Sequence, residues 1–188
     1  MLALVGCAEP KLSGAVRQPP LVVNDVRLPD AIAAGELVAL SAAPGELTLV
    51  YFGYTHCPDI CPTTLSDISV ALGDLPDDLA QRVTVALVTV DPERDTDERM
   101  VEYLGFFFDR AMALRTTDPT ELDAAADAFG VRYEVEEHTA GTTDYAVAHT
   151  AITYVVDEAG TVVVEWPFGF ESESMASDME ILFERAES

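Results

Sequence analysis

Residues 47–54, LTLVYFGY, and 83–90, VTVALVTV, are two nearly unbroken apolar, β-rich runs. A strand with one wet face alternates polar and apolar residues. Runs like these are buried on both faces and need a layer of structure on each side. The intervening segments supply candidates. CPTTLSDISVALGDLP (61–76) puts Leu65, Ile68 and Leu72 on one helical face, with Pro62 in the first turn and Gly73 and Pro76 as the stop. DTDERMVEYLGFFF (95–108) opens with Asp95 and Glu98 at capping-box spacing. DPTELDAAADAFG (118–130) repeats the device: Asp118 caps, Pro119 begins, Glu121 sits at the third position and Gly130 closes. HTAITYVVDEAGTVVVEW (149–166) reads as a hairpin, and SESMASDMEILFERAE (172–187) as a helix with Met175, Met179, Leu182 and Phe183 inward.

Strand, helix, strand, helix, then hairpin and helix is an α/β order. A parallel βαβ half followed by a ββα half makes a central mixed β-sheet flanked by helices, the architecture of thioredoxin-like domains. LVVNDVRL (21–28) and GELVAL (35–40) add short extended pieces at its entrance, giving an extended N-terminal segment. The 188 residues suffice for one domain, expected over 21–188, with the aperiodic AEPKLSGAVRQPP (8–20) ahead of it as a linker. With 34 acids against 10 bases the formal charge is −24, a field that repels phosphate backbones and attracts cations and basic surfaces. Nucleic-acid binding is excluded on that ground.

Two of the three cysteines, Cys57 and Cys61, stand in YFGYTHCPDIC, where the first buried strand hands over to its helix. Residues four apart in a helix lie about 6 Å apart along its axis and share a face, so the pair can oxidise. The helix N-terminus favours thiolate, whereas Asp59 between the two disfavours a second anion. As a staple the pair is poor, because it closes a very small loop. Three residues between the cysteines leave more room than the C-x-x-C of redox enzymes, and two spaced thiolates suit soft Cu(I) if a third ligand approaches. Zinc would want four ligands. Of the three histidines, His56 is a loop neighbour that tunes the site and His138 faces solvent in an acidic loop. His149, just before a buried strand, is the candidate ligand, with a strand-end structural role as the alternative.

YFGYTHCPDICPTTL (51–65), VDPERDT (90–96), FGVRYEV (129–135) and HTAITYVVDEAG (149–160) together resemble the Sco/SenC copper proteins of cytochrome c oxidase assembly, over about residues 21–186. The resemblance implies a thioredoxin-like domain binding one copper ion, as Cu(I) and with Cu(II) as an option, through Cys57, Cys61 and His149. It also implies a metallochaperone that delivers copper to, or matures, the dinuclear copper site of oxidase subunit II or a related copper protein. Where family members often carry an aspartate before the ligand histidine, this chain has Ala148, which changes the hydrogen bonding around the ligand without removing it. Asp91 is assigned to a structural turn. A second reading is a thiol–disulfide oxidoreductase using Cys57 and Cys61 as its redox-active pair, and a third is an interaction module with a vestigial site. Leu4-Val5-Gly6-Cys7 resembles the lipobox of bacterial lipoproteins, although no basic segment precedes it. That resemblance implies lipidation at Cys7 and a domain tethered to the outer, periplasmic-side face of the cytoplasmic membrane; the domain is expected to be a monomer.

Overall fold

A computed structural model describes residues 10–187. The lipobox-like Cys7 therefore lies outside the described residues. The elements run β1 (Arg27–Asp30), β2 (Glu36–Ala39), β3 (Leu47–Gly53), α1 (Ile60–Asp74), α2 (Asp77–Ala80), β4 (Val83–Thr89) and α3 (Asp97–Leu104). They continue with β5 (Ala111–Leu114), α4 (Pro119–Phe129), β6 (Tyr133–Val135), β7 (Val147–His149), β8 (Ile152–Val156), β9 (Val162–Pro167) and α5 (Ser172–Ala186).

The two apolar runs become β3 and β4, paired in parallel from Leu47 opposite Val83 to Gly53 opposite Thr89. They sit at the centre of a seven-stranded mixed sheet ordered β2-β1-β5-β4-β3-β8-β9. β5 extends the parallel half, while β8 and β9 on one side and the β1–β2 hairpin on the other pair antiparallel. Every residue of β3 is buried, because both of its faces are covered. On one face α1 and α5 pack together and the Trp166 ring meets α5. On the other, Phe52 of β3 and Tyr154 of β8 both meet Phe129 of α4, at ring-centroid separations of 5.3 and 5.2 Å. This is the expected thioredoxin-like arrangement.

Three of the α4 signals act as read: the Asp118 side chain accepts from the Thr120 amide, Pro119 begins the helix, and Gly130 ends it at φ 68°, the left-handed region that favours glycine. Glu121 instead accepts from the Thr116 hydroxyl, which takes the Asp118 amide in its place. The α3 cap differs. Thr96, one residue later than expected, accepts from the Arg99 amide, and Asp95 turns inward instead. Four elements go beyond the sequence reading, the first being the single-turn helix α2. β5 is only AMAL, and β6 and β7 form a separate two-stranded sheet, so that His149 ends β7 while β8 starts at Ile152.

Residues 13–22 lie along β9 and the turn that leads into it. Ala15 bridges to Glu165, Arg17 pairs with the Glu165 carboxylate, and Val22 bridges to Thr161. One fully buried acid fastens this strap. Asp178 of α5 accepts from the amides of Ser13 (2.6 Å) and Gly14 (2.9 Å) and from the indole N–H of Trp166 (2.9 Å). Replacing it strands the buried indole N–H, at about 1–3 kcal/mol, and removes the acceptor that holds the two strap amides. Asp178→Ala should therefore lower stability by about 2–3 kcal/mol in urea unfolding followed by the fluorescence of Trp166, the single tryptophan. A loss under about 1 kcal/mol would show that the strap is not held this way.

Candidate metal centre

The site forms where β3 runs out. After Gly53 the chain can no longer pair in the sheet, and Val90 N–H closes onto the Gly53 carbonyl. The loop that follows is held by Asp95, whose carboxylate is fully buried. It accepts from the Thr55 amide (3.0 Å), the Thr55 hydroxyl (2.6 Å) and the Thr89 hydroxyl (2.6 Å). A carboxylate with three donors is well compensated for its burial, and it ties the ends of β3 and β4 to the residues leading into Cys57.

Helix α1 begins without a side-chain cap from Asp59. Instead the Cys61 amide donates to the Cys57 sulfur at 3.3 Å, so a thiol stands where a capping oxygen would. Cys61, in the first turn, is fully buried under Gly53: a Cβ there would lie 2.8 Å from the Tyr51 ring and 3.1 Å from the Cys61 sulfur. Only glycine lets the strand end pass so close. Cys57 is partly buried, and both thiols are free.

His149 arrives from β7 with Nε2 3.3 Å from the Cys61 sulfur. Its Nδ1 lies 3.2 Å from the Thr150 carbonyl, which can only accept, so Nδ1 carries the proton and Nε2 presents a lone pair to the sulfurs. With Ala148 before it, the ring is oriented by a backbone carbonyl rather than by a neighbouring side chain. Tyr51 and Tyr54 meet the imidazole edge-on, each at 5.9 Å between centroids. The two sulfurs and the imidazole nitrogen all lie within 4.8 Å of one another, a spread that one ion can bridge.

The two thiols are unlike. Cys57 is held well below the ordinary thiol range, first by the Cys61 S–H donated to it and then by the amides of Cys61 and Asp59, against the opposing effect of its burial. Cys61 is pushed up by that same bond and by burial. The pair therefore releases its first proton easily and its second with difficulty.

The other histidines stay apart from the trio. His56 turns to the Asp95 carboxylate (3.6 Å) and the Thr55 hydroxyl (3.3 Å) rather than to the sulfurs. His138 does not face solvent: its ring stacks on Tyr145 at 3.7 Å and its Nε2 reaches Glu93 at 3.0 Å, because Tyr145 offers an apolar face to cover it. Asp91 is buried, paired with Arg94 and accepting from the Tyr145 hydroxyl at 2.7 Å, away from the sulfurs. Asp95 is the functional support that pattern reading missed. Its only signal was its place one turn beyond a buried strand, where it competes with Thr96 for the cap.

Residues 25–184 match the family model SCO1/SenC. A SCO2-like protein of Rickettsia prowazekii is 34% identical over 126 residues, covering 67% of this chain and 60% of that one. The chain spans less than two thirds of the length of this and other curated relatives it matches. Among solved structures, apo Sco1 of Thermus thermophilus superposes with a TM-score of 0.74 at 32% identity, covering 92% of this chain and 96% of its own. ScoI of Bradyrhizobium japonicum, determined with copper bound, gives 0.68 at 33% identity, covering 89% and 97%. With the family model spanning most of the sequence and these folds superposing on nearly all of it, the chain belongs to the SCO1/SenC family.

Proposed function

We propose that this chain is a copper-binding metallochaperone of cytochrome c oxidase assembly. Its cargo is one Cu(I), held by the thiolates of Cys57 and Cys61 and the Nε2 of His149. The observation that carries this reading is the convergence of those three atoms within 4.8 Å. Two soft sulfurs and one imidazole suit Cu(I), and a protonated Nδ1 leaves Nε2 free to bind. The copper-bound relative supports the choice of metal. The three ligands differ in accessibility. Cys61 is fully buried whereas Cys57 and His149 are partly exposed, so an incoming partner ligand displaces one of those two first and Cys61 last. Two thiolates and one Cu(I) carry a net −1, and release proceeds by ligand exchange without a change in oxidation state. The recipient is the dinuclear copper site of oxidase subunit II, and the domain works outside the cytoplasm on a lipid at Cys7. Among the described residues no helix is long and apolar enough to cross a membrane.

Anaerobic titration of the reduced protein with Cu(I) against a chromophoric chelator tests the reading. One tight equivalent is expected, weakened at least about tenfold by His149→Ala and abolished by Cys57→Ser with Cys61→Ser. Weak binding in the unaltered chain, or binding indifferent to His149, would sink the three-ligand assignment.

The unequal thiols favour a second reading, thiol–disulfide exchange. Cys57, as thiolate, attacks a partner disulfide and expels one partner thiolate. Cys61 then gives up its proton and attacks the Cys57 sulfur, releasing the second partner sulfur as a thiol. Two electrons and the Cys61 proton pass to the partner, whose first sulfur leaves as thiolate, and the Cys57–Cys61 disulfide remains. Alkylation needs thiolate, so lowering the Cys57 pKa moves its reaction to lower pH. Iodoacetamide should label Cys57 ahead of Cys61, with a half-maximal rate clearly below the ordinary thiol pKa of about 8.5. Equal labelling of both cysteines near pH 8.5 would contradict the inequality.

A further inference from the structure

His149 belongs to a hairpin that is not part of the main sheet. β6 and β7 pair only with each other, and eleven residues, 136–146, separate them. Something outside the hairpin ladder must therefore hold its free end against the cysteine loop. Arg94, in the turn after β4, is placed to do so. Its Nη1 donates to the carbonyls of Thr143 (3.0 Å) and Tyr145 (2.9 Å), and its Nε donates to Asp91. Asp91 in turn accepts from the Tyr145 hydroxyl. The guanidinium lies over the Tyr145 ring at 3.6 Å and faces the Tyr54 ring at 5.5 Å. Tyr54 is one of the two rings that flank His149. The arginine side chain is 5% exposed. In a chain with only 10 basic residues, one cation is thus spent in the interior where the hairpin meets the cysteine half.

We propose that Arg94 is a positioning residue that seats the β6–β7 hairpin and the Tyr54 ring so that His149 Nε2 stands over the Cys57–Cys61 pair. It reaches His149 by two routes, one through the carbonyls of Thr143 and Tyr145 and so along the hairpin, the other through the Tyr54 ring. The planar guanidinium is required, because a lysine ammonium can neutralise Asp91 but cannot also serve two carbonyls from a second nitrogen while stacking between rings. That this placement serves a third copper ligand rests on the function proposed above. The placement itself belongs to the metal-free protein.

The test uses the full chain, reduced, as wild type, Arg94→Met and Arg94→Lys. In the metal-free proteins, nuclear Overhauser contacts from the His149 ring to Tyr51 and Tyr54 should be strong in the wild type. They should weaken in Arg94→Lys and vanish in Arg94→Met, while the Phe129–Tyr154 contact of the core persists in all three. Cu(I) affinity should fall about 10–100-fold in Arg94→Met, with no further fall when the same change is made on a His149→Ala background. Unchanged His149 contacts in Arg94→Met, or an equal loss of affinity with and without His149, would overturn the proposal. If Arg94→Met loses the core contact as well, Arg94→Lys decides by the same His149 contacts. A wild-type chain that fails to bind copper would remove the proposed function, and the metal-free contacts would still decide the role of Arg94.

Discussion

The buried carboxylate of Asp95 is the interaction on which the site depends. β3 and β4 end side by side, and a chain leaving a sheet there has to satisfy its backbone groups some other way. Asp95 does this for the loop ahead of the cysteines by accepting from Thr55, through both its amide and its hydroxyl, and from the Thr89 hydroxyl. Hydrogen bonds to a charged group contribute about 1.5–3 kcal/mol each, enough to fix a loop that otherwise has little apolar area to bury. Cys57 follows two residues after Thr55, and Cys61 one turn later at the start of α1. The sheet end thus fixes where Cys57 stands, and the first turn of α1 sets its spacing to Cys61.

Packing then makes the two sulfurs different. Gly53 admits Cys61 against the strand end, where it is sealed, while Cys57 takes the amide that the uncapped helix offers. The dithiol consequently has one sulfur that ionises readily and one that keeps its proton, both beside an imidazole whose basic nitrogen points at them. Metal binding must displace that second proton, and disulfide formation must remove both thiolates, so loading and redox state compete for the same pair.

Much of this was legible in the residues. β3 and β4 announced themselves as unbroken apolar runs, and α4 carried a cap, a first-turn proline and a closing glycine that all act as read. What escaped has physical reasons. β5 is four residues, AMAL, following three phenylalanines, and nothing in so short a run separates a strand from a continuing helix. Asp95 and Thr96 are adjacent and both competent to cap, and only Thr89 on β4 and Thr55 in the cysteine loop decide which turns inward. The meeting of His149 with Cys61 joins residues 88 apart, and no periodicity encodes it. There the family resemblance supplied the expectation, and the folded geometry brings the atoms together.

X-ray absorption at the copper K-edge of the Cu(I)-loaded chain tests the central claim most directly, because it reads the atoms bonded to the metal. Two sulfurs and one imidazole nitrogen are predicted, with the nitrogen shell lost in His149→Ala. A shell of two sulfurs alone, identical with and without His149, would contradict the account.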